Sequence, residues 1–476
     1  MRWPDAAPAL ASGPRVARLY HALYGLCMAA AWASFAVQAR VLIGSDGLQP
    51  LQAWVDRLAA RGVGFSALPM IFWAGVPSDA GLVALCWLGG ILSLVAAAGV
   101  LSRPLFLISA LLYLSVANGG GTFMSFQWDN LAVECGLLAA LLPRDRAAFW
   151  PHLMGRALLF KVFFESAIAK LQSPLGDWID GSAMTLYYQT APLPTGLAWR
   201  FHHLPTAWHH LESWWTLCFE GVLVFGIWAG RIGRRVALAC FAGFLILDAA
   251  TANYGFFVHL TAALCVFLLS EEDVARLGRR LPARPSWPRL ELPPGLERGL
   301  GGVTVSAWLA VSVAAGLAQL GEKPVMPAVV EAVDGWRVAN VYHLFSAITR
   351  ERIEPEFQTW DGRDWTARDL RYKPGAVTRA PPFVAPHQPR VDFRLWFYGL
   401  SYRRGAPSFV GALLTKLCAD PGSVAELFAE PLPDAPKAVR IQFWNYVFTS
   451  SDQRDATGAW WDRTLVETSE ALPCAR

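Results

Sequence analysis

The residues best suited to chemistry lie inside apolar runs. FMSFQWDNLAVECGLLAALL, residues 123–142, carries Gln127, Asp129, Asn130 and Glu134 in its first half. Each is costly in hydrocarbon unless it faces a partner, a cavity or the interface. On a helix, Gln127, Asn130 and Glu134 share one face, while Asp129 points elsewhere. In the next apolar run Lys161 and Glu165 stand four apart, the spacing of an intrahelical pair. Glu220 and Asp248 add single carboxylates to later runs. Gln127, Asn130, Glu134, Lys161 and Glu165 therefore form a candidate intramembrane polar site. It has three readings: pairing between helices that fixes their packing, a polar pocket for a lipid, quinone or client segment, or an acid-base site using Lys161 or Glu134.

Other constellations are weaker. His202, His203, His209 and His210 lie beside Trp199, Trp208, Trp214 and Trp215. Pro205 splits the pairs, and an interfacial aromatic belt is the simpler account than a metal site. Gly119–Gly121 lacks the Lys-Ser/Thr that completes a phosphate loop. There is no C-x-x-C and no G-x-S-x-G, which disfavours thiol-disulfide exchange and serine hydrolysis of that pattern. No cofactor and no metal is expected.

Elements must position these residues. The 476 residues are 54% hydrophobic and only 16% charged, with mean hydropathy +0.33, so a polytopic membrane protein is expected. Nothing suggests nucleic acid as a partner. Apolar runs near crossing length fall around 19–43, 80–101, 103–121, 124–142, 155–172, 212–229, 234–252, 254–270 and 302–320. The fifth and eighth are marginal. If all cross with the N-terminus inside, fifteen basic residues face the cytoplasm, among them Arg103, Arg144, Arg146, Arg231, Arg234 and Arg235. Arg40, Arg57, Arg61, Lys170 and Arg200 face the other side, the bias expected of inside loops. The expected fold is a polytopic α-helical membrane bundle over 1–324, with a Pro/Arg-rich cytoplasmic linker at 271–300. An α+β, mainly β, extracytoplasmic domain follows over 325–476. Alternation in VRIQFWNYVFTS (439–450) predicts a strand. WDGRDW (360–365) predicts a turn with Asp361 and Gly362 at its tip. PSFVGALLTKLCA and GSVAELFAE predict two short helices. Cys418 and Cys474 are the thiols of this domain, and a bridge between them would tie the chain end to the helical hairpin.

Several of these stretches are also familiar. FMSFQWDNLAVECGLLA (123–139), AMTLYYQTAPLPTGLAWRFHHLP (183–205) and NYGFF (253–257) resemble the lipase maturation factor family. So do TRERIE (349–354), YKPG (372–375) and PPFVAPHQPRVDFRLWF (381–397). Val391, Phe393 and His203 depart conservatively from the family pattern. The resemblance implies a multi-pass membrane protein that helps secreted lipases fold and assemble into active homodimers, with no known catalytic residues. The membrane would be the endoplasmic reticulum in animals, and the inner membrane in the bacterial relative that the Ala/Arg/Gly-rich composition suggests. The implied partners are an exported client such as a lipase and the bilayer. The candidate client-contact segment comprises Tyr372, Lys373, Pro374, Pro386, His387, Gln388, Pro389, Arg390 and Trp396, with a rigid strap across the β domain as its other reading. The rival function is a membrane-embedded enzyme or a lipid- or quinone-binding protein.

Overall fold

A computed structural model describes residues 13–278, 292–321 and 325–474; the middle of the Pro/Arg-rich linker, 279–291, lies outside the described residues. Every apolar run falls on a helix. In chain order these are α1 (Pro14–Ala36), α2 (Asp79–Ala98), α3 (Ser102–Gly119), α4 (Gln127–Leu141), α5 (Phe149–Leu171), α6 (Thr206–Gly221), α7 (Arg231–Thr251), α8 (Phe257–Leu264) and α9 (Pro294–Leu320). α2 and α9 are long and apolar enough to cross a membrane by length and composition. α8, continued by a 3-10 turn to Leu268, is short and largely buried by the helices around it.

Burial in α2 and α3 is partly inverted relative to a water-soluble bundle, where the apolar stripe faces inward. α2 exposes Trp87, Leu88, Ile91 and Leu94 and buries Gly89, Gly90, Ser93 and Ala96. α3 exposes Leu107, Ile108 and Leu111 and buries Ser109, Ser115 and Asn118. Small residues set the close approaches. A Cβ on Gly89 would meet the Trp32 ring at 2.2 Å, and one on Gly136 would meet Ala110 Cβ at 2.5 Å. Close backbone contact of this kind is how helices associate when burial of apolar side chains supplies no drive.

The two ends of the bundle differ. At one end acidic residues hold basic ones: Arg15–Glu271, Arg103–Glu297, Arg146–Glu297 and Arg235–Asp273. The other end carries the sheet. Its antiparallel order is β2-β1-β3-β4, with β5 also on β3; the strands are β1 (Ile353–Trp360), β2 (Trp365–Arg368), β3 (Ala438–Phe448), β4 (Trp461–Thr468) and β5 (Leu472–Pro473). The β1–β2 turn forms at the expected residues: Trp360 pairs with Trp365, Gly362 has φ +110°, and Asp361 Oδ1 accepts from the Arg363 and Asp364 amides at 2.7 and 2.9 Å. α10 (Arg390–Ser401) and α11 (Ser408–Ala419) pack on one face of the sheet. GSVAELFAE forms a 3-10 helix, Pro421–Leu427, rather than an α-helix, and α10 arises where the sequence reading placed only a proline-punctuated segment. A single cluster of buried apolar residues runs from Val16 in α1 to Phe443 in β3.

Cys418 and Cys474 form a disulfide across a separation of 56 residues. Loop closure of that length restricts the unfolded chain by about 4 kcal/mol on a chain-entropy account. We expect Cys474→Ser to lower the stability of the sheet domain by ~2–4 kcal/mol in denaturant titrations. An unchanged midpoint would mean that β5 pairing alone holds the chain end.

Candidate functional site

The polar face of α4 is filled by an irregular strap, Arg337–Leu344, that leads from the helices to the sheet. Gln127 Oε1 accepts from the His343 amide at 3.1 Å, and Asn130 Oδ1 accepts from Arg337 Nη1 at 3.1 Å. Glu134 accepts from the Asn340 amide at 2.9 Å and the Tyr342 hydroxyl at 2.5 Å. α5 grips the same strap from the other side. Glu165 accepts from the Tyr342 amide at 2.8 Å, and Lys170 Nζ donates to Leu344 O at 2.9 Å. Lys161 Nζ lies 3.6 Å from Glu134 and 3.2 Å from Ser312 Oγ of α9. The strap carries no internal ladder, so its buried backbone groups need these side chains. Arg337 and Phe345, at its two ends, have φ of +52° and +51°. That costly conformation is held at Arg337 by guanidinium bonds to Asn118, Met124 O, Asn130 and Ala117 O.

Gln127, Asn130, Glu134, Lys161 and Glu165 thus come together, around a segment of the chain itself. Glu134 and Lys161 pair between helices. Lys161 and Glu165 both face the strap.

A second contact binds α10 to the bundle. Arg390 clasps Asp129 through two nitrogens at 2.8 and 2.9 Å, and Asp129 also accepts from Tyr113 at 2.6 Å. All three are buried. Gln38 of the loop after α1 accepts from the Arg390 amide at 3.0 Å and donates to Gln388 O at 2.7 Å. Asn253 bridges Leu193 O, Pro382 O and the Val384 and Ala385 amides. Gly255 has φ +54°, and a Cβ there would meet Gln388 Oε1 at 2.3 Å. Lastly, Arg352 donates to Gln189, Ala191 and Pro192 carbonyls and pairs with Glu354, which Lys373 also meets at 2.5 Å.

The segment Tyr372–Trp396 is accordingly a docking element. Lys373, Gln388, Pro389 and Arg390 are buried, Tyr372, Pro374, His387 and Trp396 are partly covered, and Pro386 is exposed. His387 Nδ1 lies 3.0 Å from Ser34 Oγ, and Trp396 Nε1 donates to Thr190 O at 2.8 Å. The histidines serve locally: His209 bonds Glu212 and the His202 carbonyl. Among the described residues no group of His, Cys, Asp and Glu could hold a metal ion.

The motifs that looked familiar one by one therefore meet in one seam between helix ends and sheet. Comparison with known proteins decides what they mean. The family model described as the lipase maturation factor transmembrane domain matches residues 16–276, and that of the lipase maturation factor C-terminal domain matches 338–471.

The chain belongs to the lipase maturation factor family.

Among its relatives, lipase maturation factor 2 of Gallus gallus is 28% identical over 94% of this chain and 80% of its own length. Lipase maturation factor 2 of Homo sapiens is 28% identical, covering 92% and 79%. Lipase maturation factor 1 of Bos taurus is 29% identical, covering 90% and 83%. No solved structure matches the chain. The family's two matched domains meet at the seam, and the second match begins at Val338, inside the strap.

Sequence reading missed the strap, Arg337, Tyr342 and the role of Arg390. Asp129 was set aside as pointing away from the α4 face, and it does so, toward Arg390.

Two outcomes are expected. Asp129→Ala leaves the Arg390 guanidinium buried and unpaired, which should cost ~3–5 kcal/mol, while the double change Asp129→Leu with Arg390→Met should recover most of it. Equal losses in single and double variants would remove the pair from this role. Asp392, in the first turn of α10, has its pKa pushed up to about 6 by burial, against the bonds it accepts from the Tyr372 and Lys373 amides. Its folded form favours the protonated acid, so this group's stabilising contribution is complete below about pH 4 and lost as pH rises through about 6. Asp392→Asn keeps an oxygen for both amides and should flatten the melting temperature between pH 4 and 7; an unaltered profile would assign the dependence elsewhere.

Proposed function

We propose that this chain is a membrane-embedded maturation factor that assists the folding and assembly of secreted lipases. Membership of the family supports the function. The observation that carries the mechanism is the seam, because it fixes a sheet domain rigidly on the ends of the helices and so presents one surface to a client at a set distance from the membrane.

The inverted burial supports placing the helices in a bilayer. Exposed faces of leucine, isoleucine and tryptophan are at home in hydrocarbon, whereas buried carboxylates and lysines have partners inside. On this reading all nine runs traverse, including α8. Asn253 before it bonds the sheet side, while Glu271 after it bonds the Arg15 and Val16 amides at the opposite end. Irregular backbone at membrane depth is tolerated where protein surrounds it. The end rich in arginine would face the cytoplasm and the sheet would face away.

With much of Tyr372–Trp396 engaged by the helices, the client surface falls on the free edge of β4 and on the exposed Phe383 and Pro386 of that segment, with Phe397 just beyond it. β4 is mostly exposed and carries Leu465 and Val466, 45% and 39% accessible. An unpaired apolar edge can take an extended segment of an unfolded chain by main-chain pairing.

Removing the sheet domain would also strip partners from Glu134 and Glu165, so point changes are the cleaner test. Leu465→Lys with Val466→Lys should lower the specific activity of one or a few exported lipases severalfold, with synthesis unchanged and inactive lipase in aggregates. Full lipase activity in cells holding normal amounts of the variant would sink the edge assignment; full activity after deletion of the whole gene would sink the function. Alkaline phosphatase fused after Arg476 should be active and after Arg235 inactive, and the reverse would overturn the placement.

A further inference from the structure

A cavity of about 450 Å³ lies away from the seam's polar cluster, among α5, α6, α7 and the short helix Ala183–Thr190, with Leu344 and Phe345 of the strap closing one wall. Met184, Tyr187 and Tyr188 of the 183–205 stretch and Phe257 of NYGFF help to line it. One end is aromatic, lined by Phe163 and Phe244, which pack with Phe219 and Phe241 behind them at ring-centroid distances of 4.7–5.9 Å. The other end, toward the sheet, is polar. Asp248 Oδ1 accepts from Tyr187 at 3.0 Å, and the Tyr187 hydroxyl lies 2.9 Å from that of Tyr254.

The charges at the polar end are uneven. Asp248, Glu212 and Glu220 line it with Lys170 as the cation. Lys170 is committed, since it bonds both oxygens of Glu220 and the Leu344 carbonyl. Glu212 is engaged by Tyr188 and His209. Asp248 has Tyr187 bonded to one oxygen and lines the cavity, so the polar end offers an acceptor and, among the described residues, no uncommitted cation for an anionic head. The mouth opens sideways between α6 and α7, past Trp215 and Gly243, both exposed. The surface around the mouth is apolar, with Leu211, Trp214, Val236 and Ile246 exposed.

We propose that this cavity binds a single-chain amphiphile whose head donates hydrogen bonds and carries no negative charge, entering sideways from the bilayer. The chain lies against the aromatic end and the head reaches Asp248. Volumes of this size suit one small apolar ligand oriented by a few polar groups. The proposal rests on the membrane placement above. It adds a ligand to the maturation factor and leaves the client surface as assigned.

Gly243 offers a clean plug, because a Cβ added there meets nothing within 4 Å. The full-length protein, purified in maltoside micelles, is irradiated with a diazirine-bearing monoacylglycerol and the labelled peptides are read by mass spectrometry. Label is expected on Ala239–Leu247 and near Trp215, displaced by excess monooleoylglycerol or oleylamine and at least about tenfold less well by oleate. Displacement by only one of the first two tells a hydroxyl head from an ammonium head. Gly243→Phe should abolish this label with elution volume and melting unchanged. Should that variant misfold, Asp248→Asn, which preserves size, should let oleate compete. Label spread over the outer helix faces and insensitive to both changes would mean surface lipid only and overturn the site, as would equal competition by oleate. Extraction of the protein by alkaline carbonate without detergent would overturn the membrane placement instead, so the two failures are separable.

Discussion

One constraint organises the molecule: a stretch of irregular backbone, Arg337–Leu344, passes between helices whose other surfaces are apolar. Its amides and carbonyls have no strand partner, and most of it is at least half-buried. Each buried group of that kind costs a few kcal/mol if left unmade. Glu134, Glu165, Gln127, Ser166 and Lys170 supply the missing partners. The polar residues in α4 and α5 are therefore explained by what they hold. The strap in turn lets the carboxylates be buried, and Lys161 offsets the charge of Glu134. Neither half of the seam is tolerable without the other.

The same reciprocity extends outward. Arg390 and Asp129 are individually intolerable in this environment, and together, with Tyr113 and the Phe123 carbonyl, they fix the angle of α10 against α4. Arg352 does likewise for the start of β1, gathering three carbonyls of the 189–192 turn. Buried ion pairs are poor sources of net stability. Their value here is in geometry, since a slipped arrangement would leave a charge stranded. That is a physical reason for a platform whose parts cannot shift relative to one another, and a folding aid benefits from a surface that keeps its shape while the client changes.

The cavity borders this scaffold. Lys170 belongs to both: it holds the strap through Leu344 and lines the polar end of the cavity beside Glu220. A ligand seated there touches the wall formed by Leu344 and Phe345, the point where the strap turns toward the sheet. Occupancy and docking of the sheet domain thus share a boundary.

Much of the fold is legible in the amino acids alone. Apolar runs near twenty residues long can satisfy their backbone only as helices, and all nine do so. Alternation at 439–450 gives β3, and Asp361-Gly362 gives the β1–β2 turn, because those signals are local. The shared face of Gln127, Asn130 and Glu134 follows from helical geometry, and so does the expectation that it needs a partner. The partner's identity does not follow. It comes from more than 200 residues downstream, on a stretch with neither the period of a helix nor that of a strand. In sequence the segment 372–396 is open to two readings, a client surface or a strap across the β domain, and the tertiary structure, by setting Arg390 against Asp129, packs much of it against the helices. The cavity is invisible in sequence for the same reason: no one of its walls is complete until four separate elements converge.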